Sequence, residues 1–245
     1  MTLEKANLAF SFFGITRALR THTIASIEQN IFQASKRQGY AFDVFCHLYK
    51  SQTITNPRSQ EYDLPNDWQS YQLLNPKATM IEEMAPIVKT LDMAHFSKNG
   101  DGWEDHFKSL QNMLLQWHSI QEVWQLMKSV ESQRSTPYDV VVFLRPDMEF
   151  TTPIDLAEKD FAANVIYTLK KGRFNGSNDR FAMGAPNVLE IWANRHESAD
   201  AFLETGRAMH SESLLTFHLE HHGIEQRLCD LECRRVRING LALPH

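Results

Sequence analysis

Asp147 lies just past the apolar run Val140–Leu144, in Arg145-Pro146-Asp147, where Pro146 stiffens the turn. A carboxylate there can hold a divalent cation or hydrogen-bond a ribose or sugar hydroxyl. It can equally pair with Arg145 or cap a turn. A second constellation is Phe174-Asn-Gly-Ser-Asn-Asp-Arg-Phe-Ala-Met-Gly184. Its Asp179 can serve as a general base on a hydroxyl or bind sugar hydroxyls. The competing reading is an Asx-type turn with Arg180 as ion partner. A third is His210-Ser-Glu212 at a helix start, where a carboxylate is also a plain dipole partner. His218 and His222 share a helix face, but no His-Glu-x-x-His pattern accompanies them, so zinc is not expected there.

These residues need elements to position them. Leu8–Phe13, ended by Gly14, reads as a first strand. Ile24, Ile27 and Ile31 predict a helix from about Thr23 to Gln38. Phe42, Val44, Cys46 and Leu48 then alternate with polar or aromatic neighbours as a second strand, completing a parallel βαβ unit. Ser51–Lys77, with Pro57, Pro65 and Pro76, reads as a long loop with little regular structure.

Trp103–Ser129 is strongly helical. Met113, Trp117, Ile120, Trp124 and Met127 form a core stripe, and Asn112, Gln116 and Ser119 a polar line that faces solvent or a ligand. Val140–Leu144 and Val165–Leu169 read as buried strands, Pro186–Arg195 and Glu212–His222 as helices, and Glu232–Ile238 as a late strand. Ligands of open α/β sheets bind beyond the carboxyl ends of strands. The residues expected there are Thr16, Arg17 and Arg20, then His47–Tyr49, then Arg145–Asp147.

The chain has 245 residues, 42% hydrophobic and 22% charged, which suits one soluble α/β domain. No stretch approaches the roughly 20 apolar residues of a membrane span. Met1–Phe10 lacks the basic and apolar parts of a signal peptide, so a cytoplasmic location is expected. Cys46, Cys229 and Cys233 are too few for a disulfide framework and are expected as free thiols. The net charge of −5 argues against a nucleic-acid partner. The one basic cluster, Arg234, Arg235 and Arg237, alternates with Val236 and Ile238 like the solvent face of a strand. No G-x-S-x-G elbow, P-loop or G-x-G-x-x-G occurs, which lowers hydrolase, P-loop kinase and dehydrogenase readings.

Five motifs in order carry a resemblance. They are Ser11-Phe-Phe-Gly-Ile-Thr-Arg17, Asp43-Val-Phe-Cys-His-Leu-Tyr49, Asn56-Pro-Arg-Ser59, Tyr138-Asp through Leu144-Arg-Pro-Asp147 and Asn178-Asp-Arg-Phe-Ala-Met-Gly184. Over most of its length the chain resembles GT-A-fold glycosyltransferases and glycosyltransferase-like proteins. The resemblance implies a three-layer α/β/α domain with a mostly parallel central sheet, spanning residues 1–245. It implies transfer of a sugar from a nucleotide-sugar donor to a saccharide or other hydroxyl acceptor. The alternative is a non-catalytic nucleotide-sugar or glycan-binding relative.

In that family a central strand ends in Asp-x-Asp, which binds metal and diphosphate. Here Arg145 replaces the first Asp. The resemblance implies a divalent cation, Mn²⁺ or Mg²⁺, on Asp147 with His210. It implies donor binding by Phe13, Gly14, Thr16, Arg17, Arg145, Asp147 and Asn178. Asp179 is the implied catalytic base, with Glu212 behind it.

Overall fold

The computed structural model describes residues 7–243, without the side chains of Arg58 and Leu243. The reading of Met1–Phe10 as lacking a leader falls partly outside those residues. The chain opens with β1 (Asn7–Gly14), whose alternate side chains are buried to both sides of the sheet. Helical turns then run through residues 19–37. They comprise π-helical Leu19–Thr23, α1 (Ile24–Ile27), π-helical Glu28–Phe32 and α2 (Gln33–Arg37). The predicted helix thus begins earlier and is interrupted by wider turns. β2 (Ala41–Lys50) returns parallel to β1, in register from Asn7 with Ala41 to Gly14 with Leu48.

The expected loop over 51–77 is largely regular. A hairpin of β3 (Thr53–Asn56) and β4 (Glu61–Pro65) encloses a 3-10 turn at Pro57–Ser59, and a second 3-10 segment spans Trp68–Leu74. Proline is compatible with such short edge strands, because Pro65 closes β4 and Pro57 opens a turn. The stretch packs back on the sheet, where Ile54, Glu61, Ser70 and Leu74 are buried.

β5 (Ala78–Glu83), α3 (Met84–Thr90) and α4 (Met93–Phe96) lead to α5 (Lys108–Glu131). This helix starts later than Trp103. Glu104, His106 and Phe107 have positive φ, and Asp101 instead accepts the amides of Trp103, Asp105 and Phe107. The expected core stripe on α5 is buried in full.

β6 (Val140–Leu144), β7 (Met148–Phe150), β8 (Val165–Leu169) and β9 (Ala182–Gly184) follow. The rest comprises α6 (Pro186–Ala193), α7 (Ala199–Glu204), α8 (Ser211–His221), β10 (Glu225–Cys229), β11 (Cys233–Val236) and β12 (Ala242–Leu243).

The seven-stranded sheet has the order β10-β8-β9-β6-β1-β2-β5. Only β9 runs antiparallel to its neighbours. One face buries Phe10, Phe12, Val142 and Tyr167 against Leu19, Ile27 and Phe32. The other buries Phe13, Phe45, Phe143 and Ile166 against α5, α6 and α8 through Trp124, Trp192 and Leu215. Two covered faces explain why β6 is apolar throughout. Cys46, Cys229 and Cys233 are buried, and none of them forms a disulfide. Among the described residues no helix is long and apolar enough to cross a membrane.

Candidate functional site

A pocket of about 400 Å³ opens where β1, β2 and β6 end. Gly14 ends β1 with φ +104°, and Arg17 follows at φ 40°, a left-handed conformation unusual for a side-chain-bearing residue. That turn aims the Arg17 guanidinium into the pocket. Tyr49 comes from β2 and Arg145 from just past β6. Because β9 is antiparallel, the residues preceding it, Asp179 and Arg180, reach the same end of the sheet. Ser211 and Glu212 enter from the first turn of α8, and Arg235 and Arg237 from β11 and its continuation.

Arginine dominates this pocket. Arg17, Arg145, Arg180, Arg235 and Arg237 all line it. Asp147 stands behind them, fully buried. Its Oδ1 accepts from Arg145 Nε at 2.8 Å and its Oδ2 from Arg145 Nη2 at 2.9 Å, while Arg17 Nε lies 3.9 Å from Oδ2. Burial acts to raise the Asp147 pKa, but Arg145, Arg17 and Arg235 outweigh it and hold the carboxyl far below its ordinary range. Glu61, also fully buried, accepts from Arg17 Nη1 at 3.1 Å and from the Ile238 amide at 3.0 Å. Arg237 Nη1 stands 3.9 Å from the same Glu61 oxygen that binds Arg17.

These two carboxylates leave the array incompletely balanced. The buried Nε atoms of Arg17, Arg235 and Arg237 have no hydrogen-bond partner among the described residues. Burial, then the charges of Arg180, Arg237 and Arg145, push Arg235 down to about 9, still cationic at neutral pH. Buried donors without partners are costly, and five guanidinium groups around one pocket make it a cationic cavity suited to an anion.

The opposite wall holds the acids. Asp179 Oδ2 accepts from Ser211 Oγ at 2.6 Å and Gln116 Nε2 at 3.1 Å, whereas its buried Oδ1 has no hydrogen bond. Burial acts to raise its pKa, but Arg180, Ser211, Arg195 and Arg145 keep it below the usual value. Glu212 is pushed the other way, up to about 8, by burial and then by the Asp179 charge. Two buried carboxylates this close disfavour double ionisation, and the directions of the two shifts favour the proton on Glu212. Arg180 faces both, its Nη2 3.5 Å from Glu212 Oε1 and its Nε 3.7 Å from Asp179 Oδ1. The Gly-containing loop makes this packing possible, since a Cβ on Gly176 would lie 2.1 Å from the Glu212 carbonyl oxygen.

Of the site residues that the resemblance implies, Gly14, Arg17, Arg145, Asp179, His210 and Glu212 line the pocket, as does Tyr49 from the end of β2. Four others do not. Phe13 is core, packed on Phe143 and Trp192. Buried Thr16 donates to the Asp67 carbonyl at 3.2 Å. Asn178 is consumed by its own loop, donating to the Lys171 and Gly172 carbonyls and accepting from the Arg180 and Phe181 amides. Asp147 is sealed behind the arginines.

The expected cation on Asp147 and His210 does not fit this geometry. Both Asp147 oxygens are occupied by guanidinium, and another cation would be repelled. His210 stacks on Trp103, with Nδ1 facing Ser213 Oγ at 3.2 Å and Glu212 Oε2 at 3.7 Å. Zinc at His218 is likewise unsupported, because its ring nitrogens bond Ser198 Oγ and the Ile191 carbonyl.

Several pocket residues are not signalled by the sequence. Glu61 falls in the stretch expected as a loop. Arg235 and Arg237 are expected on a solvent face, whereas Arg237 is buried and only Arg234 is exposed. Their alternation with Val236 was the available signal, but alternation does not say which face is outside. The polar line on α5 does meet the site, through Asn112 and Gln116. Phe174, 53% exposed, stands at the pocket with Arg180 against its ring.

No protein-family model and no curated protein matches this chain.

Proposed function

We propose that the protein is a nucleotide-sugar-dependent glycosyltransferase of GT-A-like fold that holds its donor diphosphate on arginines. The observation that carries this reading is the set of five pocket arginines, three of them with buried Nε–H groups that lack a partner. Diphosphate oxygens suit planar guanidinium donors. Charge accumulates on the leaving nucleoside diphosphate as the C1–O bond breaks, and preorganised cations stabilise it most at that point. Phe174 offers an exposed aromatic ring at the pocket for a base or a sugar.

The acids divide the remaining work. Asp179, ionised and at the pocket wall, takes the acceptor hydroxyl proton as that oxygen attacks C1. Glu212 stays protonated, so the pair carries one negative charge before the step and none after it. Ser211 and Gln116 fix the Asp179 carboxylate during transfer.

The test is release of nucleoside diphosphate from a panel of nucleotide sugars, with chelator present, with and without saccharide acceptors. Acceptor-stimulated release without added cation is expected. Donor binding without release across the panel would point to a non-catalytic nucleotide-sugar or glycan-binding role. Neither binding nor release would overturn the reading.

A further inference from the structure

His47, Glu82 and His118 meet between the sheet and α5. Tyr49 of β2 is paired with Glu82 of β5, so His47, two residues earlier on the same strand face, points to the same side. His118 descends onto them from α5. Their ligand atoms all lie within 4.8 Å of one another. His47 Nε2 is 2.8 Å from Glu82 Oε2, and His118 Nε2 is 2.6 Å from the same oxygen.

The next residue on α5 fixes the His47 ring. Ser119 Oγ is 3.1 Å from the His47 carbonyl, 2.9 Å from the Gly14 amide nitrogen and 2.8 Å from His47 Nδ1. A hydroxyl has one proton and two acceptor lone pairs. The carbonyl can only accept, so it takes that proton. The amide can only donate, so it fills one lone pair. The other lone pair is satisfied when His47 carries its proton on Nδ1. That tautomer leaves the Nε2 lone pair aimed at a carboxylate oxygen 2.8 Å away. Two acceptors at that distance need a proton or a metal ion between them, and a second imidazole, His118, on the same carboxylate oxygen makes the cluster a two-histidine, one-carboxylate ligand set.

We propose that His47, Glu82 and His118 bind a zinc-class divalent metal ion, with Ser119 as the residue that orients His47. Two imidazoles and one carboxylate suit zinc and its late-transition neighbours better than Mg²⁺ or Ca²⁺, which prefer all-oxygen shells. Tetrahedral ligands at zinc distances stand about 3.3 Å apart, so the carboxylate oxygen must retreat by roughly 0.5–0.7 Å from the two imidazoles. Glu82 can do so, since its side chain is 31% exposed. Three protein ligands leave a position for water. His118 and Glu82 form the accessible side, and His47 the buried one. Ser119 joins the metal ligands to the Gly14 turn of the arginine pocket.

The test uses chelator-treated, dialysed protein titrated with Co²⁺ alone and then with Zn²⁺. Visible bands of tetrahedral Co²⁺ at one ion per chain, displaced by Zn²⁺, are expected. Glu82→Gln and His118→Asn should each weaken Co²⁺ binding by at least about 100-fold, and Ser119→Ala by about 10- to 100-fold. His221→Asn, on the far end of α8, should leave binding unchanged. No Co²⁺ spectrum, or equal binding in wild type and in Glu82→Gln and His118→Asn, would overturn the proposal. If both variants fail to fold, ring ¹H–¹⁵N spectra of wild type decide. Zn²⁺-induced shifts at His47 and His118 support the site, and their absence overturns it. None of these readings requires turnover, so the metal site stands or falls apart from the proposed transferase activity.

Discussion

Asp147→Asn keeps the side-chain volume and removes the charge, and its two candidate roles give opposite outcomes. Both oxygens are held by Arg145 in a fully buried pair. Breaking such a pair by removing one partner costs about 3–5 kcal/mol, because the remaining charge is left uncompensated. For 245 residues the unfolding entropy is about 0.5 kcal/mol/K, so Tm should fall by about 6–10 °C. The Asp147 pKa is lowered on folding from an ordinary 3.8. Its linked stability is therefore present above that value and lost as pH falls through the folded one. The variant should lack this acid-side loss. A nucleoside diphosphate should recover more of Tm in the variant than in wild type, since Arg145 then has no counter-charge. Calorimetric scans in chelator, with and without UDP or GDP, measure all of this. An unchanged Tm together with loss of an Mn²⁺-dependent activity would refute the arginine reasoning and make Asp147 a metal ligand.

Arg235→Ala should weaken UDP or GDP binding by roughly 10- to 100-fold, the worth of charged hydrogen bonds. It should also raise the ligand-free Tm, because a half-buried charge repelled by Arg180, Arg237 and Arg145 is removed; calorimetry reads both effects, and a lower ligand-free Tm would count against the site. Asp179→Asn should slow transfer by about 10²- to 10⁴-fold while donor affinity changes little, and an unchanged rate excludes it as the base. The Glu212 carboxyl is raised from 4.5 to about 8. Its stability contribution is full below pH 4.5 and is lost as pH rises through about 8. Tm against pH should show that decline in wild type and not in Glu212→Gln, and equal profiles would remove the pH assignment.

The elements were legible where a hydrophobic period was strong. The α5 stripe, the β6 run and the alternation of β2 each report a local geometry, and each element formed where its pattern lay. Ser51–Lys77 reads as a loop because short edge strands and 3-10 turns admit proline and polar residues and carry little periodicity. Asn178 and Asp179 are adjacent and chemically alike, yet one ties its own loop and the other faces the pocket. Nothing local distinguishes them, because a loop's hydrogen-bond partners are set by its three-dimensional path.

From the sequence alone came the α/β class, the strand ends where a ligand would sit, and most acids and several arginines of the pocket. These follow from side-chain period and from the rule that parallel strands deliver their carboxyl ends to one edge. Only the tertiary structure decided which charges meet. It sealed Asp147 behind Arg145 and Arg17, turned Arg237 inward beside Glu61, and brought His47, Glu82 and His118 together from three separate elements. Electrostatic roles depend on distance and burial, and groups as far apart in the chain as Glu61 and the Ile238 amide, 177 positions, acquire both only when the chain folds.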